Sequence, residues 1–207
     1  MAEFIHLHNH TEYSLLDGLS QIEPLIERTK ELDMDALAIT DHGVMYGAIK
    51  FYNACKAAGI KPIIGCEIYM AHRSRFDKQA KLDSDQYHLV LLAKNFKGYQ
   101  NLMKIVTKAH LEGFYYKPRA DMELLKEHSE GLVASTACIE GEVPSLILQN
   151  NYQGAKRKAQ ELQEIFGDDF YLEIQNHPGL KKQDIANQGI VKLSRELGIP
   201  LIATNDD

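Results

Sequence analysis

Short apolar runs alternate with amphipathic stretches along almost the whole chain, and this alternation limits the possible folds more than any other feature of the sequence. Repeated βα units have this pattern, whereas sandwiches and helical bundles do not. Seven such units in 207 residues predict a single α/β domain with a barrel or near-barrel sheet. The predicted strands are Phe4–His8, Ala36–Thr40, Pro62–Tyr69, His88–Ala93, Leu132–Ser135, Phe170–Gln175 and Pro200–Ala203.

The stretches between these strands have the spacing of amphipathic helices, and several of them end at a glycine suited to a helix C-cap. Ser20 and Glu23 have the spacing of a capping box at the start of the first helix. The segment Ala71–Gln86 is polar, charged and irregular, as expected for a lid or a surface loop. The predicted helices are Gln21–Leu32, Gly47–Ala58, Tyr99–Leu111, Gln153–Phe166 and Lys182–Leu197.

The composition argues against several classes of protein. With 44% hydrophobic and 25% charged residues, the sequence is typical of a globular domain. It contains no apolar stretch of membrane-spanning length and no secretory signal pattern, so we expect a cytoplasmic protein with no membrane partner. The three cysteines lack CxxC spacing, which argues against a disulfide framework. A net charge of −6 means that any contact with DNA must be local or supplied by a neighbour.

Metal-binding residue types follow many of the predicted strands. Three histidines alternate in the run His6-Leu7-His8-Asn9-His10, and side chains two apart on an extended strand point the same way. Because the carboxyl ends of strands meet at one edge in parallel α/β folds, this pattern predicts a shared site for several cations. The residues near strand ends are His8, His10, Asp17, Asp41, His42, Glu67, Cys138, Glu140, Glu142, Asp206 and Asp207.

Seven motifs in chain order resemble those of the PHP (polymerase and histidinol phosphatase) domain family. They are HLHNHTEYSLLDG from His6, ITDHG from Ile39, GCEIY from Gly65, YHLVLLA from Tyr87, STACIEGE from Ser135, YLEIQNH from Tyr171 and ATND from Ala203. EYSLLDG and the run GFYYKPRAD at Gly113–Asp121 are similar to the polymerase branch of that family. The resemblance implies a distorted (βα)7 barrel with three cations at the carboxyl ends of its strands.

The same resemblance implies which residues hold the cations. Glu67 would bridge two cations with its two oxygens. His88 stands at the start of its apolar run, so a local reversal of strand direction is needed to bring it to the same edge. A thiolate at Cys138, where many phosphatase relatives have a histidine, favours zinc. The implied ligands are His8, His10, Asp17, His42, Glu67, His88, Cys138 and Asp206, with Asp41 orienting His42.

Up to three divalent cations are implied, zinc or manganese, with iron or magnesium as alternatives. The ninth ligand of the family is a histidine two residues after the aspartate that matches Asp206, which is the position after Asp207. We therefore expect residues 1–207 to be one PHP domain from the N-terminal part of a much longer polymerase. We also expect the third cation to bind more weakly in this chain.

The activity implied by the resemblance is a 3′→5′ proofreading exonuclease that acts on the 3′ end of a DNA primer. The residues by themselves indicate only phosphoester hydrolysis by clustered dications. Expected partners are DNA, the remainder of a polymerase alpha subunit and other replisome subunits. Two alternatives stay open: a structural module that docks a separate proofreading subunit, and a stand-alone phosphatase of the histidinol-phosphate type.

Two further groups of residues are candidates for contact with the substrate. His177 follows the sixth predicted strand and is a candidate catalytic residue at a scissile phosphate or the metals, with a loop histidine that bonds to the backbone as the alternative. The loop that contains Tyr115, Tyr116, Lys117 and Arg119 combines aromatic faces with cations, which is typical of single-strand nucleic-acid stacking sites. A packed surface loop is the alternative for this segment.

Overall fold

The computed structural model describes residues 4–206, and it has seven strands and seven α-helices within that range. The strands are β1 (Ala36–Ile39), β2 (Lys61–Ala71), β3 (Gln86–Ala93), β4 (Arg119–Ala120), β5 (Leu132–Ser135), β6 (Phe170–Gln175) and β7 (Leu201–Thr204). The helices are α1 (Ile22–Glu31), α2 (Ala48–Ala58), α3 (Phe96–Leu111), α4 (Met122–His128), α5 (Glu142–Leu148), α6 (Tyr152–Phe166) and α7 (Lys181–Leu197), with a 3₁₀ turn at Gly167–Asp169.

The strands form one curled sheet in the order β1-β2-β3-β5-β6-β7, with β4 paired to the far end of β2. Among residues 4–206 no ladder joins β7 to β1, so the sheet is a half-barrel. The predicted α/β class with a distorted barrel is confirmed. The two-residue strand β4 was not predicted because so short a run carries no alternation to detect.

Strand β3 runs opposite to its neighbours β2 and β5, whereas the other pairs are parallel. The register pairs Tyr69 with His88, so the start of β3 lies beside the carboxyl-terminal half of β2. The reversal of strand direction expected for His88 is therefore confirmed. It brings a residue at the beginning of a strand to the edge where parallel strands place residues from their ends.

The first predicted strand, Phe4–His8, is wrong. The segment runs beside β1, where the N–H of Ala38 donates to the carbonyl of His6 at 3.0 Å and the N–H of Thr40 donates to Asn9 at 2.9 Å. Between these two hydrogen bonds the chain advances two residues from Ala38 but three residues from His6, and the extra residue prevents a regular ladder. The Asn9 amide also donates to the carbonyls of His6 and Ala38, which holds the irregular backbone in place.

The five predicted helices are confirmed with small shifts of their ends, but α4 and α5 were missed. Each has only seven residues, which is too short for a helical period to be distinctive. The capping box at Ser20 is wrong, since α1 is capped by Gln21 without a side-chain hydrogen bond. The Ser20 carbonyl instead accepts from the N–H of Glu12 at 2.9 Å. Within residues 4–206 the helices lack the combined length and apolarity that crossing a membrane requires.

The apolar core has two main clusters, and the polar side chains of the strands lie outside them at one edge of the sheet. The larger cluster joins β2, β3, β5 and β6 to helices α3–α7, and Leu91, Leu102 and Phe170 within it are fully buried. A second cluster packs α1 and α2 on β1 through Ile22 and Phe51. Burial of these side chains is the main force that fixes the curvature of the sheet and hence the position of its edge.

The irregular segment 72–85 is a surface loop whose backbone accepts hydrogen bonds from the buried side chain of Arg119. The guanidinium of Arg119 is 0% exposed and donates to the carbonyls of Arg75, Asp77, Asp83 and Gly113 at 2.7–3.3 Å. The prediction that Arg119 contacts nucleic acid is therefore wrong. An arginine in a polar loop resembles a surface cation by sequence, but this guanidinium uses four hydrogen bonds to satisfy backbone carbonyls.

Candidate metal centre

Seven of the eight predicted ligands come together at the edge of the sheet in three overlapping groups. In each group, one ligand atom from every residue lies within 4.8 Å of the others. The eighth, Asp17, is exposed, and its Oδ2 is 3.1 Å from His42 Nε2. The groups are His8, His10 and Asp206; His10, His42 and Glu67; and Glu67, His88 and Cys138.

Glu67 is the centre of this arrangement, with a side chain that is 0% exposed. Its Oε1 lies 3.0 Å from His88 Nδ1 and 3.4 Å from His8 Nε2. Its Oε2 lies 2.5 Å from His42 Nδ1 and 3.5 Å from His10 Nε2. Despite these short distances, no group among residues 4–206 meets either Glu67 oxygen with hydrogen-bond geometry. The four imidazole nitrogens and the carboxylate oxygens therefore surround a shared space without forming regular hydrogen bonds.

The ionisation of Glu67 fits the same interpretation. Burial favours the neutral acid, but the imidazoles of His42, His8 and His88 outweigh it and hold the pKa of Glu67 well below its ordinary value. A buried carboxylate without a hydrogen bond is costly, and native structures satisfy such groups with a partner, often a cation. Carboxylate, imidazole and thiol side chains in this number are a donor set suited to divalent transition metals.

Glu173 is a residue that the sequence analysis missed. Its Oε1 is 2.7 Å from His8 Nδ1. The carboxylate also accepts hydrogen bonds from the hydroxyls of Ser135 and Thr204 and from the Gln175 amide at 2.9 Å. Burial opposes ionisation, but these partners, His8 first, lower the pKa of Glu173. The available signal was an acid in the middle of an otherwise apolar strand, β6.

The contact with Glu173 determines which nitrogen of His8 is free. An ionised carboxylate can only accept a hydrogen bond, so Nδ1 of His8 must carry the proton. Burial lowers the pKa of His8, but Glu173 and Glu67 outweigh it and raise that pKa well above its ordinary value. In the neutral ring, the Nε2 lone pair then faces His10, Glu67 and Asp206, which is the orientation a cation requires.

Asp41 positions His10 rather than the imidazole of His42, so the predicted role of Asp41 needs correction. Its carboxylate accepts from the N–H of Thr11 at 2.6 Å and from the hydroxyl of Ser14 at 2.8 Å. The Ser14 oxygen in turn lies 3.2 Å from His10 Nδ1 and accepts the backbone N–H of His42. Side chains of neighbouring residues on extended backbone point apart, which is why Asp41 does not reach the ring beside it.

The loop that carries Asp17 folds back on itself at Gly18. A Cβ at Gly18 would lie 1.9 Å from the carbonyl oxygen of Thr11, so only glycine allows this approach. The N–H of Gly18 donates to the carbonyl of Ser14 at 2.8 Å, which closes the turn. This closure brings Asp17 to His42 and leaves Leu15 and Leu16 exposed beside the site.

Cys138 and Asp206 complete the site from backbone that is strained. Ala137, directly before Cys138, has φ 56° and Asp206 has φ 62°. Residues other than glycine rarely adopt this region of φ. Cys138 Sγ is 3.7 Å from His88 Nδ1. Burial and then Glu67 raise the pKa of the Cys138 thiol. Burial opposes ionisation of Asp206, but His10 and His8 lower its pKa. Asp207 lies outside the described residues.

His177 lies in the loop after β6 and does not directly contact the candidate ligands. Its Nε2 is 3.2 Å from Gln175 Oε1, and the Gln175 amide donates to Glu173. The structure therefore links His177 to His8 through two intervening side chains. A direct role at the substrate phosphate stays a prediction.

A cleft of about 400 Å³ opens beside the site. His42, His88 and Asp17 lie on its wall together with Tyr69, whose ring stacks near that of His42. The rest of the wall includes Leu15, Leu16, Tyr46, Phe114, Tyr116 and Lys117. Of the predicted nucleic-acid residues, Tyr116 and Lys117 therefore line the cleft, whereas Tyr115 packs under the Arg119 guanidinium at 5.3 Å.

Comparison with known proteins places this geometry in a family. The model of the PHP domain matches residues 6–177. The chain is 53% identical over 206 residues to DNA polymerase III subunit alpha of Borreliella burgdorferi, covering 99% of this chain and 18% of that protein. It is 49% identical over 208 residues to DNA polymerase III subunit alpha of Thermus aquaticus, covering 99% and 17%. The chain thus spans less than a fifth of the length of these curated relatives.

The fold is also found among solved structures. A protein from Bifidobacterium adolescentis, assigned as a metal-dependent phosphoesterase, superposes with a TM-score of 0.57 at 11% identity. The superposition covers 100% of this chain and 88% of that one. At this identity the likeness concerns the fold alone.

Proposed function

Because the chain belongs to the PHP domain family, we propose that it is a metal-dependent phosphodiesterase that removes nucleotides from the 3′ end of DNA. One observation carries the proposal: the buried Glu67 carboxylate faces four imidazole nitrogens and has no hydrogen bond from the residues that the structure describes. Such a group is costly unless a cation satisfies it. We choose DNA as the substrate because the curated relatives are DNA polymerase subunits.

Three overlapping groups of residues would hold up to three cations. Divalent cations supply two things when bound: a water molecule with a lowered pKa and neutralisation of the charge that develops on phosphorus. Cys138 and the histidines favour zinc, whereas the carboxylates of Glu67 and Asp206 also suit manganese, iron or magnesium. The proposed ligands are His8, His10, Asp17, His42, Glu67, His88, Cys138 and Asp206.

The side chains around the ligands keep the site in one arrangement. Glu173 accepts a hydrogen bond from Nδ1 of His8. The Ser14 hydroxyl donates to Asp41, so its oxygen can accept a hydrogen bond from Nδ1 of His10. Both rings therefore present Nε2 without a reorganisation step.

In the proposed reaction water adds to phosphorus and the bond to the 3′ oxygen of the penultimate sugar breaks. That oxygen leaves with a proton, and the products are a nucleoside 5′-monophosphate and a shortened strand. We propose that His177 contacts the phosphate of the substrate.

We also propose that the chain acts within a longer polymerase subunit. The chain covers 17–18% of the length of its polymerase relatives, which supports a role as one proofreading domain of a longer alpha subunit. Its proposed partners are the 3′ end of a DNA primer, the remainder of that subunit and other replisome subunits. A cytoplasmic location follows from this role.

The alternatives make different predictions about the metal centre. A docking module has no physical need for a buried carboxylate that four imidazoles surround, so the geometry of Glu67 disfavours it. A histidinol-phosphate type of phosphatase would use the same cations on a small substrate. Elemental analysis of the purified chain tests the first alternative, and hydrolysis of histidinol phosphate tests the second.

A primer with a mismatched 3′ end, labelled at its 5′ end, tests the proposal. We expect zinc or manganese to support stepwise shortening from the 3′ end, and a chelator to abolish it. The double variant His8→Ala, His10→Ala should lose shortening by more than about 100-fold, since it removes a ligand pair. Equal shortening by both proteins would show a contaminating nuclease and contradict the proposal.

Glu173→Gln should weaken the metal centre although Glu173 is not a proposed ligand. The neutral amide no longer favours the His8 tautomer that presents Nε2, so we expect metal affinity to fall by about 10- to 100-fold. Titration of the metal-free chain with zinc against a competing chelator measures this. Glu164→Gln makes the same chemical change at an exposed position on α6 and should leave affinity as in the wild type. Equal affinities in all three proteins would rule out a positioning role.

A further inference from the structure

The cleft beside the metal centre has a rim of apolar side chains that the fold leaves uncovered. Leu15, Leu16, Tyr46, Phe114 and Tyr116 line it, and each has more than half of its surface exposed. A patch of large apolar groups on one rim usually marks a binding surface. We propose that this cleft binds the base of a single unpaired nucleotide at the 3′ end, with Tyr116 as its stacking platform. This inference rests on the proposed function.

Tyr116 has strained backbone and an exposed side chain. Its φ is 60°, which is rare for a bulky side chain, and the residue is 68% exposed, although its ring contacts that of Tyr115 at a centroid distance of 4.6 Å. The N–H of Tyr115 donates to the carbonyl of Lys117 at 3.0 Å, so a tight turn places Tyr116 at its tip. Strain of this kind persists where the surrounding structure enforces it, and it is found most often at ligand sites. The turn presents an aromatic face to the cleft at the expense of local stability.

The inner wall of the cleft connects this platform to the metal centre. Tyr69 is 5% exposed, and its ring lies against those of His42 and His88 at centroid distances of 6.1 and 5.3 Å. Lys117 Nζ lies 5.1 Å from the centroid of the Tyr69 ring. A cation therefore stands between the apolar rim and two proposed ligands, where a nucleotide would place its phosphate. A cover formed by another protein domain would block access of the substrate to these ligands.

The size of the cleft selects one nucleotide rather than a duplex. About 400 Å³ is at the lower end of small-ligand sites and is far smaller than a base-paired end. A base must leave its pair and its stack to enter, and a mismatched base loses least in doing so. Stacking on an aromatic face does not depend on base identity, because every base has a π-face. The cleft would thus favour a mispaired terminus without reading its sequence.

Two 5′-labelled single-stranded oligonucleotides that differ only at the 3′ terminus test the proposal. One ends in a normal nucleotide and the other in an abasic sugar, so both have the same terminal phosphodiester. The wild-type chain with manganese should show a higher kcat/KM for the base-bearing strand. In Tyr116→Ala the ratio of the two kcat/KM values should fall by about 5- to 150-fold, which is the range for loss of one stacked base. Tyr116→Phe keeps the ring and should keep the ratio.

Phe96→Ala is the matched control, since Phe96 is 73% exposed on a separate groove at the start of α3. It should keep the wild-type ratio. An unchanged ratio in Tyr116→Ala would overturn the subsite. If the wild-type chain shortens neither strand, the proposed function fails instead. Fluorescence anisotropy with the same two strands then decides the subsite, because equal binding of both strands would overturn it.

Discussion

Glu67→Gln is expected to abolish hydrolysis and most metal binding while the chain stays folded. The substitution keeps the size of the side chain but removes the charge that four imidazoles face. Loss of a residue that only orients a ligand costs about 10- to 100-fold in affinity or activity. Loss of a carboxylate shared by two groups of ligands should therefore cost more than about 100-fold in kcat/KM. Elemental analysis and the mismatched-primer assay measure the two effects.

Two observations separate a metal role of Glu67 from a structural one. Zinc should raise the Tm of the wild type and should leave the Tm of Glu67→Gln unchanged, because a cation stabilises only the folded protein that binds it. Glu164→Gln, an exposed change on α6, should behave as the wild type in every assay. Wild-type cation content in Glu67→Gln would contradict the proposal that Glu67 is a metal ligand.

Arg119→Met should destabilise the fold strongly with no direct effect on the ligands. The methionine keeps most of the buried volume but leaves four carbonyls without the donors that Arg119 supplies. At about 1 kcal/mol or more for each buried group left unsatisfied, we expect a loss of about 4 kcal/mol or more. For a chain of this length that corresponds to a fall in Tm of roughly 8–16 °C. Thermal unfolding followed by circular dichroism measures it.

The matched control for Arg119 is Arg28→Met. Arg28 forms an exposed pair with Glu31 at 2.8 Å on α1, and pairs of this kind contribute about 0–1 kcal/mol. We therefore expect its Tm to stay within a few degrees of the wild type. Similar small effects in both variants would mean that solvent replaces the Arg119 donors and that the loop 72–85 does not depend on them.

Strands and helices of ordinary length were predictable because each carries its own period. β5 and β6 have the predicted bounds, and the predicted helices differ from the structure by a few residues at most. Elements below about two turns or three residues, such as α4 and β4, carry no period and were missed. The segment Phe4–His8 has the composition of a strand, but one extra residue opposite β1 prevents the ladder. Local composition cannot reveal that mismatch.

The sequence by itself determined the class of fold and the chemical types at the site, since periodicity and residue type are properties of short windows. Only the tertiary structure decided which of these groups meet. The reversed strand β3 brings His88 to Glu67, and β6 places Glu173 under His8, although 165 residues separate that pair. Arg119 looked like a surface cation and is buried among carbonyls. Strand direction and register depend on burial of the whole apolar core, and no window of the chain contains that information.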